Sequence, residues 1–232
     1  MLKLLRDDAQ ALGLTLNDAQ LSAFGRYCEL LLEKNAVMNL TAITEPAEVG
    51  RLHFLDSLAL LKLADFRGKR VLDVGCGAGF PGVPLKIGQP SIRLSLLDST
   101  AKRMQWLSDE LLPALGLEAA CLTGRAEELI EGRRESYDLC VSRAVARLNV
   151  LCELCLPYVA VGGSFLAMKG AAAEDEAQEA RKAVRLLGGS VREVAAYPVG
   201  DAVHRVVIID KVRSTPAKYP RRFAKIKQQP LK

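Results

Sequence analysis

The sequence predicts an α/β fold: a mostly parallel sheet covered by helices on both faces, preceded by a helical extension. Three observations predict it. From residue 70 onward, strand-like and helix-like runs alternate, the pattern of parallel strands joined by crossover helices. The first strand runs straight into a glycine-rich turn, Gly75-Cys76-Gly77-Ala78-Gly79-Phe80-Pro81-Gly82. In an open parallel sheet such a turn lies at the carboxyl edge, where ligands bind. The last two strand patterns are separated only by Pro198-Val199-Gly200-Asp201-Ala202. That is too short for a crossover helix, so they are expected to pair as an antiparallel hairpin.

Taken in order, residues 1–64 read as the helical extension. Leu21, Phe24, Cys28 and Leu31 recur at spacings of three and four and form one apolar stripe, with Asn17 or Thr15 as the cap. A loop through Asn39 leads to a helix restart at Pro46, and 52–63 is a further helical run. After a short link at 65–70, strands are expected at 70–74, 92–97, 118–123, 137–142, 163–169, 191–197 and 205–209. Helices are expected at 84–89, 101–115, 127–131, 149–159 and 173–187. This divides the chain into a helical extension (1–64), a core (65–210) and a tail (211–232).

Half of the residues are hydrophobic and a quarter are charged, which excludes disorder over most of the length. The net charge is +5 over 232 residues, but it is unevenly spread. From Lys211 to Lys232 there are eight basic and no acidic residues, leaving residues 1–210 at −3. A uniformly basic coat is excluded, whereas a local anion-binding arm is not. The start of the chain shows no signal-peptide core, and the apolar stretch 154–168 is too short and too broken to span a bilayer. A cytoplasmic location without membrane contact is expected. The six cysteines do not form a disulfide framework. Cys152 and Cys155 sit in an apolar helical run, where Cys behaves as a small hydrophobe, and no metal site is expected.

The chemistry concentrates at the glycine turn. Residues 77–82 fit G-x-G-x-x-G, the dinucleotide fingerprint, and an NAD-dependent oxidoreductase is the reading this motif alone suggests. The surroundings favour another ligand. Gly75 and Gly77 begin directly at the strand end, displacing the match from the dinucleotide position. Asp73 puts a carboxylate inside the strand, where it can bind a cationic ligand tail or orient the loop, and where a pyrophosphate would be unwelcome. S-adenosylmethionine has an amino-acid tail, a sulfonium cation and a ribose, and no phosphate. Asp98, followed by Ser99 and Thr100, ends the next strand and suits the ribose hydroxyls. Ala126 and Glu127 follow the third strand, where an adenine edge would lie. Glu128 reads better as charge stabilisation of a helix start.

Further phrases carry a family resemblance: Asn39-Leu40-Thr41-Ala42-Ile43; Arg51-x-His53-Phe54-Leu55-Asp56-Ser57-Leu58; Leu72-Asp73-Val74-Gly75 through Gly79-Phe80-Pro81-Gly82; Leu97-Asp98-Ser99; Gly124-Arg125-Ala126-Glu127; Ser142-Arg143-Ala144-Val145-Ala146; Met168-Lys169-Gly170; and Tyr219-Pro220-Arg221-Arg222. With these the chain resembles, over nearly its whole length, the bacterial small-subunit (16S) ribosomal RNA guanine-N7 methyltransferases (RsmG, the glucose-inhibited division protein B family). The resemblance implies the Rossmann-like, seven-stranded class I S-adenosylmethionine-dependent methyltransferase fold. It also implies cofactor contacts at Gly75, Phe80, Asp98, Ser99, Thr100, Ala126, Glu127 and Arg143. Two departures stand out: Cys76, where the family has Ser, and Phe223-Ala224, where Ala-Gly follows the two arginines.

Guanine N7 carries a lone pair in the neutral base, so its methylation needs no general base. Positioning and electrostatics suffice. Arg143 is the first choice for a cofactor or target-base contact, with a surface salt bridge as the plainer alternative. Lys169 ranks below it. His53 and Asp56, one helical turn apart, either reach toward the site or form a buried pair holding the helices to the core. Arg221, Arg222, Lys225 and Lys227 are expected to bind phosphates of small-subunit ribosomal RNA or of the assembling subunit. Neutralising Arg221 and Arg222 is expected to weaken RNA binding and preserve cofactor affinity. A monomer is expected. A non-catalytic ribosome-assembly factor built on the same fold is the third reading.

Overall fold

Seven strands form one sheet in the order β3-β2-β1-β4-β5-β7-β6, in a computed structural model that describes residues 1–143, 145–200 and 202–231. Three residues lie outside the described set: Ala144 of the Ser142–Ala146 phrase, Asp201 of the hairpin turn and Lys232 of the basic tail. The strands are β1 Arg70–Val74, β2 Arg93–Asp98, β3 Ala120–Thr123, β4 Tyr137–Arg143, β5 Val159–Lys169, β6 Gly189–Val199 and β7 Ala202–Lys211. The first five run parallel to one another. β7 is antiparallel to both β5 and β6, as the short connection between the last two strands requires.

Period-two alternation divides the side chains of the sheet between two apolar clusters. Leu139, Val141, Val206 and Ile208 face one cluster. Cys140, Val207 and Ile209 face the other. The first cluster also takes Leu21, Phe24, Cys28 and Leu31 from the helix Asp18–Met38, so the N-terminal helices share a core with the sheet. Asn17 caps that helix through a full capping box with Gln20, an arrangement worth about 1 kcal/mol. Cys152 and Cys155 pack in the second cluster, fully buried, with their thiols pushed up by burial.

Three expectations need correction. No helix forms over 127–131. Gly124 and Gly132 bracket a series of turns there, because five residues gain too few helical bonds to offset nucleation. The helix restart expected at Pro46 is present, but it runs without a break into the stretch expected at 52–63, and the pitch changes along it. Val49–Leu55 is π-helical, Asp56–Leu58 is α-helical and Ala59–Lys62 is 3-10. The tail is not a free arm either. Tyr219 and Ile226 are buried in the second cluster, and Phe223–Gln228 is a short helix. Lys211, counted as the first charge of the tail, ends β7 with its ammonium buried on Leu156 O and Thr215 Oγ1.

Among the described residues no helix is long and apolar enough to cross a membrane. No group of three or more His, Cys, Asp or Glu side chains among them is placed to hold a metal ion.

Candidate active site

The carboxyl ends of β1, β2, β3 and β4 open into a cleft of about 330 Å³. Eight of the residues expected at the cofactor line it: Gly75, Gly77, Asp98, Ser99, Thr100, Ala126, Glu127 and Arg143. Gly77 has φ +56°, and the space a Cβ would enter is open. Only a residue without a side chain holds that conformation at low cost and leaves the room to a ligand. Asp98 is fixed from both oxygens, Oδ2 accepting from Gly77 N at 3.0 Å and Oδ1 from Thr100 N at 2.8 Å. Its remaining lone pairs suit the two hydroxyls of a ribose. Glu127 Oε1 is buried without a partner, and burial raises its pKa. An unpaired buried acceptor at the rim of a cleft is what an amine-bearing base such as adenine would complete. These groups fit S-adenosylmethionine.

They do not fit a pyrophosphate. The amides it would need are taken within the chain: Gly75 N by Leu97 O, Gly77 N by Asp98, Gly79 N and Phe80 N by Cys76 O, and Gly82 N by Asp73. The fingerprint at 77–82 is therefore a self-satisfied turn, not an anion nest.

Two residues expected to touch the cofactor lie outside the lining of this cleft. Asp73 is fully buried and does not line the cleft. Its Oδ2 accepts from Gly82 N at 2.7 Å, which ties the end of the glycine turn to β1. Phe80 is likewise outside the lining and forms the middle of a stack. Tyr27 lies at 5.3 Å, His53 at 4.5 Å and the Arg143 guanidinium at 4.9 Å from its ring. The departure Cys76 is buried against Met104.

Burial pushes the Asp73 carboxyl up to about 7, against the opposing Gly82 hydrogen bond. The folded protein thus holds a proton that the unfolded chain releases above its ordinary carboxylate pKa of about 4. The Asp73 contribution to stability is then full below that value and declines as pH rises to about 7. Denaturant midpoints measured from pH 4 to pH 9 should show wild type losing stability relative to Asp73→Asn across this window. The two should run parallel above it. A constant difference across the range would assign Asp73 an ordinary pKa.

Arg143, at the end of β4, is held on three sides. Nη1 donates to Leu52 O at 3.1 Å and to Asp56 Oδ2 at 3.2 Å, and Nη2 meets His53 Nδ1 at 3.1 Å. Arginine is a permanent donor, so His53 Nδ1 accepts and its Nε2–H faces Thr41 Oγ1 at 2.8 Å. Burial first, and Arg143 next, lower His53 to about 4, which keeps it neutral at physiological pH. Its expected site role becomes one of orienting Arg143. The anticipated His53–Asp56 pair is bridged by that arginine instead. Asp56 Oδ1 accepts from Tyr197 OH at 2.9 Å and His204 Nδ1 at 2.7 Å, and this pairing raises His204.

Arg143, Asp56, Tyr197 and His204 line a second cavity of about 260 Å³, with Met168, Lys169 and Gly170. No sequence motif marks Tyr197 and His204. They are register partners across the β6–β7 hairpin, a pairing legible only once the turn at Gly200 is fixed. Lys169 is present, but its ammonium is bound by Ala146 O at 2.5 Å and Glu176 at 2.8 Å. It is therefore a structural tie rather than a catalytic group. Arg221 is also committed. Its guanidinium makes a two-pronged pair with the fully buried Glu153, at 2.8 and 2.7 Å. Arg222, Lys225 and Lys227 are exposed.

Comparison with known proteins agrees with this geometry. A sequence model of the family described as rRNA small subunit methyltransferase G (GidB) matches residues 20–202. The chain is 44% identical over 234 residues to "Ribosomal RNA small subunit methyltransferase G" of Alkaliphilus oremlandii, covering 99% of this chain and 98% of that one. It is 46% identical over 216 residues to the protein of the same name from Bacillus cereus, covering 90% of each. Among solved structures, M. jannaschii TYW2 in complex with AdoMet superposes with a TM-score of 0.54 at 10% identity, covering 66% of this chain and 72% of that one. Precorrin-6y C5,15-methyltransferase from Geobacter metallireducens superposes with a TM-score of 0.52 at 15% identity, covering 75% and 92%. These two share the fold. By sequence and by architecture the chain belongs to the rRNA small subunit methyltransferase G family, S-adenosylmethionine-dependent enzymes of the class I fold.

Proposed function

We propose that the chain transfers a methyl group from S-adenosylmethionine to N7 of a guanine in small-subunit ribosomal RNA. One observation carries this reading: Arg143 lines both cavities, the cofactor cleft and the second pocket. A group that bridges two adjoining cavities stands where something passes between them. S-adenosylmethionine, when bound, supplies a methyl group on a cationic sulfur. The second pocket takes the target base.

The residues of that pocket do not need to move a proton. His53 is neutral and committed at both nitrogens, and Asp56 is engaged at both oxygens. Neutral guanine needs no base to expose N7, so a pocket whose His53 and Asp56 are both committed suits the reaction. Both major-groove acceptors of guanine, N7 and O6, suit arginine. N7 must stay free for attack, so Arg143 holds O6 or a flanking phosphate. Its fixed cation, preorganised by Leu52, His53 and Asp56, costs no reorganisation during the step.

Phosphate contacts fall to the exposed cations Arg222, Lys225 and Lys227 on the tail. We infer that the protein acts as a monomer in the cytoplasm, where ribosomal RNA is assembled into subunits.

The deciding experiment is nucleoside analysis, at nucleotide resolution, of 16S ribosomal RNA from cells with and without the protein. Transfer of labelled methyl to the deficient RNA or subunit is then tested in vitro. Loss of one 7-methylguanosine and its restoration by the purified protein are expected. An unchanged 7-methylguanosine content would leave the assembly-factor reading instead.

A further inference from the structure

The cofactor cleft has one wall from outside the strand ends. Phe223 lines it beside Gly124, Arg125, Ala126 and Glu127, the side expected at the adenine. This residue lies 96 positions beyond Glu127, in a tail that by charge alone reads as an RNA arm.

Phe223 is held there. Arg221, two residues before it, is locked on Glu153. Tyr219 is buried, and its carbonyl accepts from Arg134 Nη2 at 2.5 Å. Ile226, three residues after it, is fully buried. The Arg125 guanidinium lies over the Phe223 ring at 4.9 Å. The ring is thus fixed on both chain sides and across one face before any ligand arrives, so little rotamer freedom is left to lose on binding.

We propose that Phe223 is a cofactor-binding residue: its ring packs against the adenine end of S-adenosylmethionine and closes the cleft from the tail side. An aromatic ring accepts a purine through stacking or edge contact. Beside it, Glu127 Oε1 is buried with no partner and is placed to accept from the exocyclic amine. Base and ring together would fill the end of the cleft that β3 opens. The tail then serves two ligands, cofactor through Phe223 and RNA phosphate through the neighbouring Arg222 and Lys225, which face solvent.

The proposal rests on the cleft being the S-adenosylmethionine site, and the experiment separates the two. Calorimetric titration of the full-length protein with S-adenosylmethionine, S-adenosylhomocysteine and adenosine is compared for wild type, Phe223→Ala, Phe223→Leu and Phe223→Tyr. Phe223→Ala should weaken all three ligands about tenfold or more, and Phe223→Tyr should stay within about twofold of wild type. Phe223→Leu keeps the apolar anchor without the ring face, so it guards against simple detachment of the tail. It should bind more weakly than Phe223→Tyr while melting, without ligand, at the wild-type temperature. If Phe223→Ala and Phe223→Leu bind S-adenosylmethionine as tightly as wild type, the proposal is overturned. If wild type itself does not bind S-adenosylmethionine, the assignment of the cleft falls instead.

Discussion

Arg143→Ala should abolish most methyl transfer, by at least about a hundredfold in kcat, the scale of removing one preorganised charge contact from a reaction site. The side chain is 16% exposed and Asp56 is 5% exposed, so the substitution also has a stability cost. Breaking a buried ion pair costs about 3–5 kcal/mol when the remaining charge is stranded. Asp56 keeps Tyr197 and His204, which places the expected loss near the lower end of that range. Arg143→Lys separates the two effects. An ammonium preserves the charge but cannot span Leu52 O, Asp56 and His53 in one plane. Stability should then recover further than activity does. Single-turnover transfer to 16S substrate, with cofactor affinity measured in parallel, is the readout. A folded Arg143→Ala protein within tenfold of wild-type kcat would remove Arg143 from the chemistry.

Arg221→Ala should be a stability variant, not an RNA-binding one. Glu153 is 0% exposed and receives the guanidinium through two contacts and the Arg221 backbone N–H through a third, at 2.9 Å. Removing the cation strands a buried carboxylate, at a cost of about 3–5 kcal/mol. Replacing both partners by methionine should be much less damaging than Arg221→Met alone, because no charge is left behind. Urea denaturation of the two single variants and the double variant tests this. RNA binding of the folded fraction should keep the wild-type salt slope in Arg221→Ala. Arg222→Ala should flatten it by about one unit, as expected for one lost phosphate contact. Equal stability of wild type and Arg221→Ala would show that the Arg221–Glu153 pair contributes nothing to the fold.

The sequence made the sheet legible because its strands carry their own signals. Apolar runs such as Val71–Val74 are bounded by glycine or charge, and the hairpin was dictated by a connection too short for anything else. The cleft was legible for the same reason: Gly75, Gly77, Asp98 and Glu127 sit at strand ends, where topology alone brings residues together. What was illegible depends on partners far away in the chain. Asp73 and Phe80 read as ligand contacts because their motif is at the ligand. Which atoms turn inward depends on Gly82 and on Tyr27 and His53 from the helical extension. Lys169 and Arg221 carry charges that look available until Glu176 and Glu153 are seen beside them. The helix Phe223–Gln228 gives no periodic signal, having only Phe223 and Ile226 as large apolar anchors.

Asp56 joins residues 87, 141 and 148 positions further along the chain. Each contact of that span closes a long loop, whose entropy the rest of the fold must offset. A single carboxylate thus fastens the helical extension, the end of β4 and the β6–β7 hairpin to one another, and damage at Asp56 is expected to be felt in all three.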